Sequence, residues 1–327
     1  PIVVISQEKF TLSGIITDQS SNETLIGANI IIPSLQTGST SNEYGFYSIT
    51  LDKGEYEFQI SYLGFKSIVQ NINLDKDQTL NFKLIEDSET LDEIVIVEDV
   101  EKLNIRKPQM SLNSLSINTI KQIPVVLGEV DLIKSITLLP GVTTAGEGAS
   151  GFNVRGGAAD QNLILLDEAT IFNSSHLFGL FSVFNPDAIK DIKLYKGGIP
   201  AKYGGRVSSV LDIYQKEGNS NEFKMNGGIG LVSSRLLAEG PLKKEQGSFL
   251  FGGRSSYAHL FLPLFDIDNI AYFYDLNTKL SYKLNDRNNI YLSGYFGRDV
   301  FSISDSFENA YGNAVINFRW NHLFSDK

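Results

Sequence analysis

Asp167-Glu168 is the one adjacent carboxylate pair outside an acidic run that could place an acid beside a base. Neighbouring residues on a strand point to opposite faces, so the pair can serve one substrate only where the backbone turns. His176, His259 and His322 stand far apart, and the chain has no Cys. They therefore carry no zinc spacing, and no thiolate nucleophile exists. GEGASG, Gly146 to Gly151, fits G-x-G-x-x-G, but Pro140-Gly141 precedes it and the strand-like FNVRGG follows. A dinucleotide site needs a strand before that pattern and a helix after it. No G-x-S-x-G elbow occurs. The residues point to no catalytic group, no metal and no cofactor.

Binding groups are better represented. The heptad LDEIVIV comprises Leu91, Asp92, Glu93, Ile94, Val95, Ile96 and Val97, and its last four residues are β-branched and strand-like. It sits in an acidic run, Glu86 to Glu101, with eight carboxylates and no Lys or Arg. A strand in such surroundings has no core of its own. Arg155-Gly156-Gly157 sets a cation beside two permissive backbone positions. It reads either as a turn with a solvated Arg or as a fixed guanidinium that pairs with distant carboxylates. The loop NSSHLFGLF spans Asn173, Ser174, Ser175, His176, Leu177, Phe178, Gly179, Leu180 and Phe181. Its mixture of aromatic and polar groups suits either a buried core or a ligand-facing apex. The net charge of −10 argues against nucleic acid, which requires a basic face.

The elements that must position these groups fall into successive regions. Residues 1–8 begin with PIVVISQ, which suits the end of a signal-peptide apolar stretch cleaved near Ser6-Gln7, or a frayed strand. Residues 9–85 hold short strand-like runs, from FTLSGIIT to TLNFKL, separated by turn residues, and predict a small β-sandwich. Residues 86–101 are the acidic linker. Residues 102–218 read as α+β. Pro124 is expected to open a helix carrying Val126, Val130, Ile133 and Ile136 on one face, and Asn185-Pro186-Asp187 to cap another.

From residue 219 to 327 the alternation is strict. Tyr272, Tyr274, Leu276, Leu280, Tyr282 and Leu284 share one face, and Asp275, Asn277, Lys279, Ser281 and Lys283 the other. Ala314, Ile316, Phe318, Trp320 and Phe324 oppose Asn317, Arg319 and Asn321 in the same way. No apolar run approaches the ~20 residues of a spanning helix, whereas these segments suit tilted strands of a membrane barrel.

Taken in order, these segments resemble the start of a TonB-dependent outer-membrane transporter of the Bacteroidetes type. GIITDQSSNETLIGANIII through YEFQISYLGFKS is similar to the non-catalytic carboxypeptidase-regulatory-like domain, an immunoglobulin-like or transthyretin-like sandwich. LDEIVIV resembles the TonB box. IPVVLGEVDLIKSITLLPGV, FNVRGGAADQNLILLDEATIFN and DAIKDIKLYKGGIPAKYGGRVSSVLDI resemble the plug.

The resemblance implies a mainly β chain: sandwich, α+β plug, then the first strands of a transmembrane antiparallel β-barrel. It implies that Leu91–Val97 pairs with the periplasmic C-terminal domain of the inner-membrane energy transducer TonB, adding a strand to its sheet edge. Import of a scarce nutrient across the outer membrane follows, with glycans, peptides, siderophores and cobalamin all open as cargo. A surface lipoprotein lid and outer-membrane lipid are the further partners, and the sandwich would lie in the periplasm. The family's barrel has about 22 strands, and this chain holds material for about five or six. An open edge does not persist in lipid, so the expectation is a piece of a longer polypeptide. Two rival readings are a ligand-sensing receptor that signals inward and a secreted glycan-binding or adhesion protein.

Overall fold

The computed structural model describes residues 8–87, 112–121, 129–146, 151–265, 269–303 and 307–325. The heptad Leu91–Val97, the acidic linker beyond residue 87 and the start PIVVISQ lie outside the described residues. The chain divides into two compact units, one built on Pro1–Pro108 and the other on Gln109–Lys283 with Ile290–Trp320.

In the first unit, alternating apolar residues fold as two facing sheets. One sheet holds β1 (Lys9–Asp18), which pairs antiparallel with β4 (Phe46–Asp52) and parallel with the short β7 (Gln78–Thr79) and β8 (Phe82–Leu84). The other runs β3 (Thr37–Thr40), β2 (Asn29–Ile32), β5 (Gly54–Ser61), β6 (Ile68–Leu74). Leu12, Ile16, Ile30, Ile32, Phe58, Ile60 and Leu74 are fully buried in one core. Each such side chain contributes about 1.5–3 kcal/mol before conformational entropy is subtracted. Tyr47 reaches over β1 at Gly14 and donates to Leu80 O at 2.7 Å, and burial raises the pKa of its phenol. Gly14 is required there, because a Cβ would strike the Leu80 carbonyl. The sandwich expected from the strand spacing is present.

In the second unit, the central domain is built on a five-stranded sheet ordered β13 (Ala169–Thr170), β12 (Asn162–Leu166), β17 (Ser209–Gln215), β16 (Ile189–Tyr195), β9 (Leu112–Ser116). The β12–β17 pair is parallel, whereas β9–β16 and β16–β17 are antiparallel. Two hairpins, β10 (Val142–Thr144) with β11 (Phe152–Val154) and β14 (Ser175–His176) with β15 (Phe181–Ser182), flank it. Ile192, Leu194, Leu211 and Ile213 pack one face of the sheet on Ile133, Ile136, Phe152 and Phe184.

Two local expectations are corrected. The helix observed in the Pro124–Ile136 stretch is Leu132–Ile136, with Asp131 as its N-cap accepting from Lys134 N at 2.9 Å. A capping carboxylate defines a helix start more strongly than an upstream Pro, so Val130 precedes the helix rather than lying on it; residues 122–128 lie outside the described residues. Asn185-Pro186-Asp187 opens no helix. Asp187 N donates to Asn185 Oδ1 and Ala188 N to Asn185 O, a tight turn that leads directly into β16.

The remaining strands form one antiparallel sheet in chain order: β18 (Lys224–Ile229), β19 (Ser233–Lys243), β20 (Gly247–Ser256), β21 (Asn269–Asn285), β22 (Asn288–Ile303), β23 (Phe307–His322). The last three run 16 or 17 residues, longer than the ~9–11 that a tilted strand needs to cross a bilayer. Among the described residues no helix is long and apolar enough to span a membrane, which says nothing about spanning by strands.

Candidate functional site

The six-stranded sheet has the polarity of a soluble sheet turned inside out. Register fixes which residues share a face: Arg254 lies opposite Asp275, Gly252 opposite Asn277 and Leu250 opposite Lys279, whereas Gly253 faces Leu276 and Phe249 faces Leu280. On the first face Arg254, Asp275, Asn277, Lys279 and Asp299 are at most 3% exposed. On the second, Ile316, Phe318 and Trp320 are 83%, 66% and 61% exposed, and Phe251 and Leu276 are exposed as well. A sheet in water buries its apolar face. This one buries its charges against the central domain and presents its hydrocarbon outward, the arrangement a bilayer selects.

Burying charge requires partners, and the central domain supplies them in three clusters. In the first, Arg254 donates to Glu129 Oε1 at 2.6 Å, to Asp275 Oδ2 at 2.7 Å and to Ser182 O at 2.7 Å. His176 lies beside it, with Nδ1 at 2.8 Å from Asp299 Oδ2 and Nε2 at 3.2 Å from Asp275 Oδ2. Each ring nitrogen thus faces a carboxylate oxygen of the wall. Leu177 N donates to Asp299 Oδ1 at 2.8 Å, and the His176 ring stacks on Phe273 at 4.2 Å between centroids. Leu177 and Phe178 hold positive φ, so the loop is bent sharply to deliver these groups.

In the second cluster Asp167 accepts from Gln215 N, Gln215 Nε2 and Lys279 Nζ at 3.0, 3.2 and 3.1 Å. Asp167 and Glu168 both have positive φ, which makes them the two-residue turn between β12 and β13. The backbone does turn at this pair, but its carboxylates separate: Glu168 lies 3.6 Å from Arg319, whose guanidinium sits 4.3 Å over the Tyr291 ring. Asn313 Nδ2 donates to Asn173 O at 2.8 Å just along the wall.

The third cluster joins Lys121, Asp187 and Arg235. Lys121 Nζ is 2.9 Å and Arg235 Nε 2.7 Å from the Asp187 carboxylate. Burial would raise the Asp187 pKa, yet hydrogen bonds and charge from Lys121 and Arg235 outweigh it and hold the carboxyl below its ordinary range.

The residues singled out in sequence are thus distributed unevenly. Ser174, Ser175, His176, Leu177 and Phe181 are buried, whereas Phe178 is exposed and packs edge-on against Phe301 at 5.2 Å and near Tyr311. Asn173 is tied to Asn313. Arg155 and Gly156 form a turn of positive φ, with Arg155 N donating to Gly141 O. Gly157 admits no Cβ, because Ser208 fills that space. Sequence reasoning did not reach Glu129, Asp187, Arg254 or Lys279 as a set. Their partners lie from 21 to 125 residues away, and only the isolated charges on alternating strands hinted at them.

Comparison with known proteins agrees with this architecture. Residues 12–96 match the family model described as CarboxypepD_reg-like domain, and residues 107–210 match that of the TonB-dependent Receptor Plug Domain. TonB-dependent receptor SusC of Bacteroides thetaiotaomicron is 27% identical over 230 residues, covering 66% of this chain and 22% of that protein. TonB-dependent receptor P3 of Formosa agariphila is 33% identical over 94 residues, covering 29% of this chain and 9% of its own. Among solved structures, the siderophore receptor PirA from Pseudomonas aeruginosa aligns with a TM-score of 0.47 at 18% identity, over 66% of this chain and 38% of that one. The chain therefore spans about a fifth of the length of SusC.

Two outcomes follow from the clusters. Lys279→Met should cost about 3–5 kcal/mol by stranding Asp167 without its cation, whereas Leu276→Ala on the outward face should cost far less; thermal unfolding of the detergent-solubilised chain checks both. Asp187→Asn should cost about 1–3 kcal/mol near neutral pH. Because the folded Asp187 pKa is lowered, its contribution is complete above the unfolded value of 3.8 and is lost as pH falls through the folded value. The difference between the two proteins should hold from pH 7 towards 4 and shrink below it.

Proposed function

We propose that this chain, a carboxypeptidase-regulatory-like domain followed by a TonB-dependent receptor plug and wall strands, works in energy-coupled import of a nutrient across the outer membrane. The observation that carries the reading is the inside-out wall, whose buried charges clasp the plug while its apolar face is exposed. On this reading residues 9–85 form the sandwich, 86–101 the linker with the TonB box, 102–218 the plug and 219–327 the first barrel strands. The sandwich lies on the periplasmic side, and no bond in the cargo is broken.

The box, Leu91–Val97, lends itself to strand addition. Its backbone would pair with an open sheet edge of the TonB C-terminal domain, while Ile94 and Ile96 on one side and Val95 and Val97 on the other set register. The surrounding carboxylates would steer it toward a basic partner. A pull delivered there runs along the chain to β9, which among the described residues lies at the edge of the plug sheet and pairs with β16. An edge strand pulled from its end yields bond by bond, starting at Leu112 opposite Tyr195. Lys121, a few residues on, would next draw on Asp187 and through it on Arg235 of the wall. The plug would loosen there first, with the His176 and Asp167 clusters still holding.

At the other end, Asn173–Phe181 supports a cargo-facing apex through its exposed members. Phe178 on Phe301 and Tyr311 offers an aromatic platform, which a small ligand can use without disturbing the buried His176. A surface lipoprotein over this rim is the second partner on this reading.

The test is binding of a peptide spanning Glu86 to Glu101 to the periplasmic domain of the cognate TonB. Saturable binding that is lost with Val95→Pro, which removes a backbone donor, is expected. Equal binding by both peptides, or by neither, would remove the heptad as the coupling strand.

A further inference from the structure

The connection between β20 and β21 carries an apolar run that the proposed transport path does not employ. Tyr257 to Phe265, YAHLFLPLF, contains no Asp, Glu, Lys or Arg, and Ala258–Phe265 coils as a 3-10 segment. Two contacts define where it lies. Tyr257 N donates to Val232 O at 2.9 Å and its hydroxyl donates to Gly230 O, which ties the segment to the turn between β18 and β19. The His259 ring sits 5.0 Å from that of Tyr272. Tyr272 shares its face with Tyr274, Leu276 and Leu280 by strand alternation, so His259 lies on the outward side of the wall. It sits at the rim away from the Lys244–Gln246 turn.

What it exposes there is hydrocarbon. Leu260 and Phe261 are 65% and 50% exposed, and Ile229 and Leu231 of the adjoining turn are 91% and 85% exposed. Each gains by leaving water, and four together at one rim exceed what a solvated loop carries by chance. The patch continues the outward band of Leu236, Phe251 and Leu276 without a charged interruption on the segment itself. Its polar atoms are confined to Tyr257 and His259, amphipathic rings of the kind that sit at headgroup level. Burial lowers the His259 pKa, which favours the uncharged ring.

We propose that residues 257–265, with the 229–231 turn, form an interfacial anchor that seats in the acyl–headgroup boundary of the bilayer leaflet at this rim. The proposal rests on the reading of the sheet as a membrane wall. On the proposed orientation the leaflet is the outer one. The anchor would fix the height of the wall in the membrane on the side where the plug loop Asn173–Phe181 meets β21, β22 and β23.

The chain's single Trp separates the two ideas, because Trp320 lies on the outward face far from this rim. The full chain is reconstituted in phosphatidylcholine vesicles brominated either high or deep on the acyl chain. Trp320 emission should be quenched, which reports on the wall. In Trp320→Phe, Phe261→Trp, emission should be lost most strongly to the high bromines and spared by aqueous acrylamide. Quenching of Trp320 together with acrylamide-quenched, bromine-insensitive emission from position 261 would overturn the anchor while the wall stands. Shielding of position 261 from both quenchers would overturn it in favour of a protein cover. An unquenched Trp320 would remove the wall reading and the anchor with it.

Discussion

A carboxylate that leaves water has to find a cation, and in the larger unit Glu129, Asp167 and Asp187 each find one on the opposite side of a domain contact. Much of the architecture answers to that demand. The wall strands alternate so that Arg254, Asp275, Lys279 and Asp299 all point one way. The sharp turns at Asp167-Glu168 and Leu177-Phe178 aim plug groups at them. What remains for the other side of the wall is hydrocarbon.

Buried ion pairs seldom add much net stability over an apolar contact, but removing one partner is costly, so they fix register strictly. On the proposed function, that suits a plug that must sit in one place and still be movable. An apolar interface of the same size would resist separation at every step and expose hydrocarbon when it opened. A polar one can exchange its partners for water as it parts. The three clusters also differ in burial: the Lys121–Asp187–Arg235 joint is the most solvent-accessible, whereas Arg254 and His176 are almost wholly enclosed. The weakest joint lies nearest β9, where a pull from the linker would arrive.

The strand periodicity was readable in the sequence because it depends on nothing distant. Tyr272 to Leu284 sort into two faces on alternation alone, and the structure puts Asp275, Asn277 and Lys279 on the buried one. The sandwich was legible for the same reason, in runs such as FTLSGIIT and LIGANIII that became β1 and β2. Local chemistry misled where two signals competed: Val130 reads as part of a helix that the Asp131 cap starts only after it, and Asn185 caps a turn rather than a helix. The site was hidden for a different reason. His176 meets Asp299 across 123 residues and Arg254 meets Glu129 across 125, and no spacing rule reaches that far. A lone His among Asn, Ser and Phe gave no sign of which carboxylates would hold it.

On the proposed function one face of β21–β23 meets lipid while the other meets the plug. The chain contains no Cys, so single cysteines can be placed at will and spin-labelled in reconstituted membranes. Labels stepped through residues 272 to 284 should show a period of two in accessibility. Leu276 and Leu280 should be open to oxygen dissolved in the bilayer, and Asn277 and Lys279 closed to it. Equal access of a water-borne relaxation agent to both faces would contradict the account.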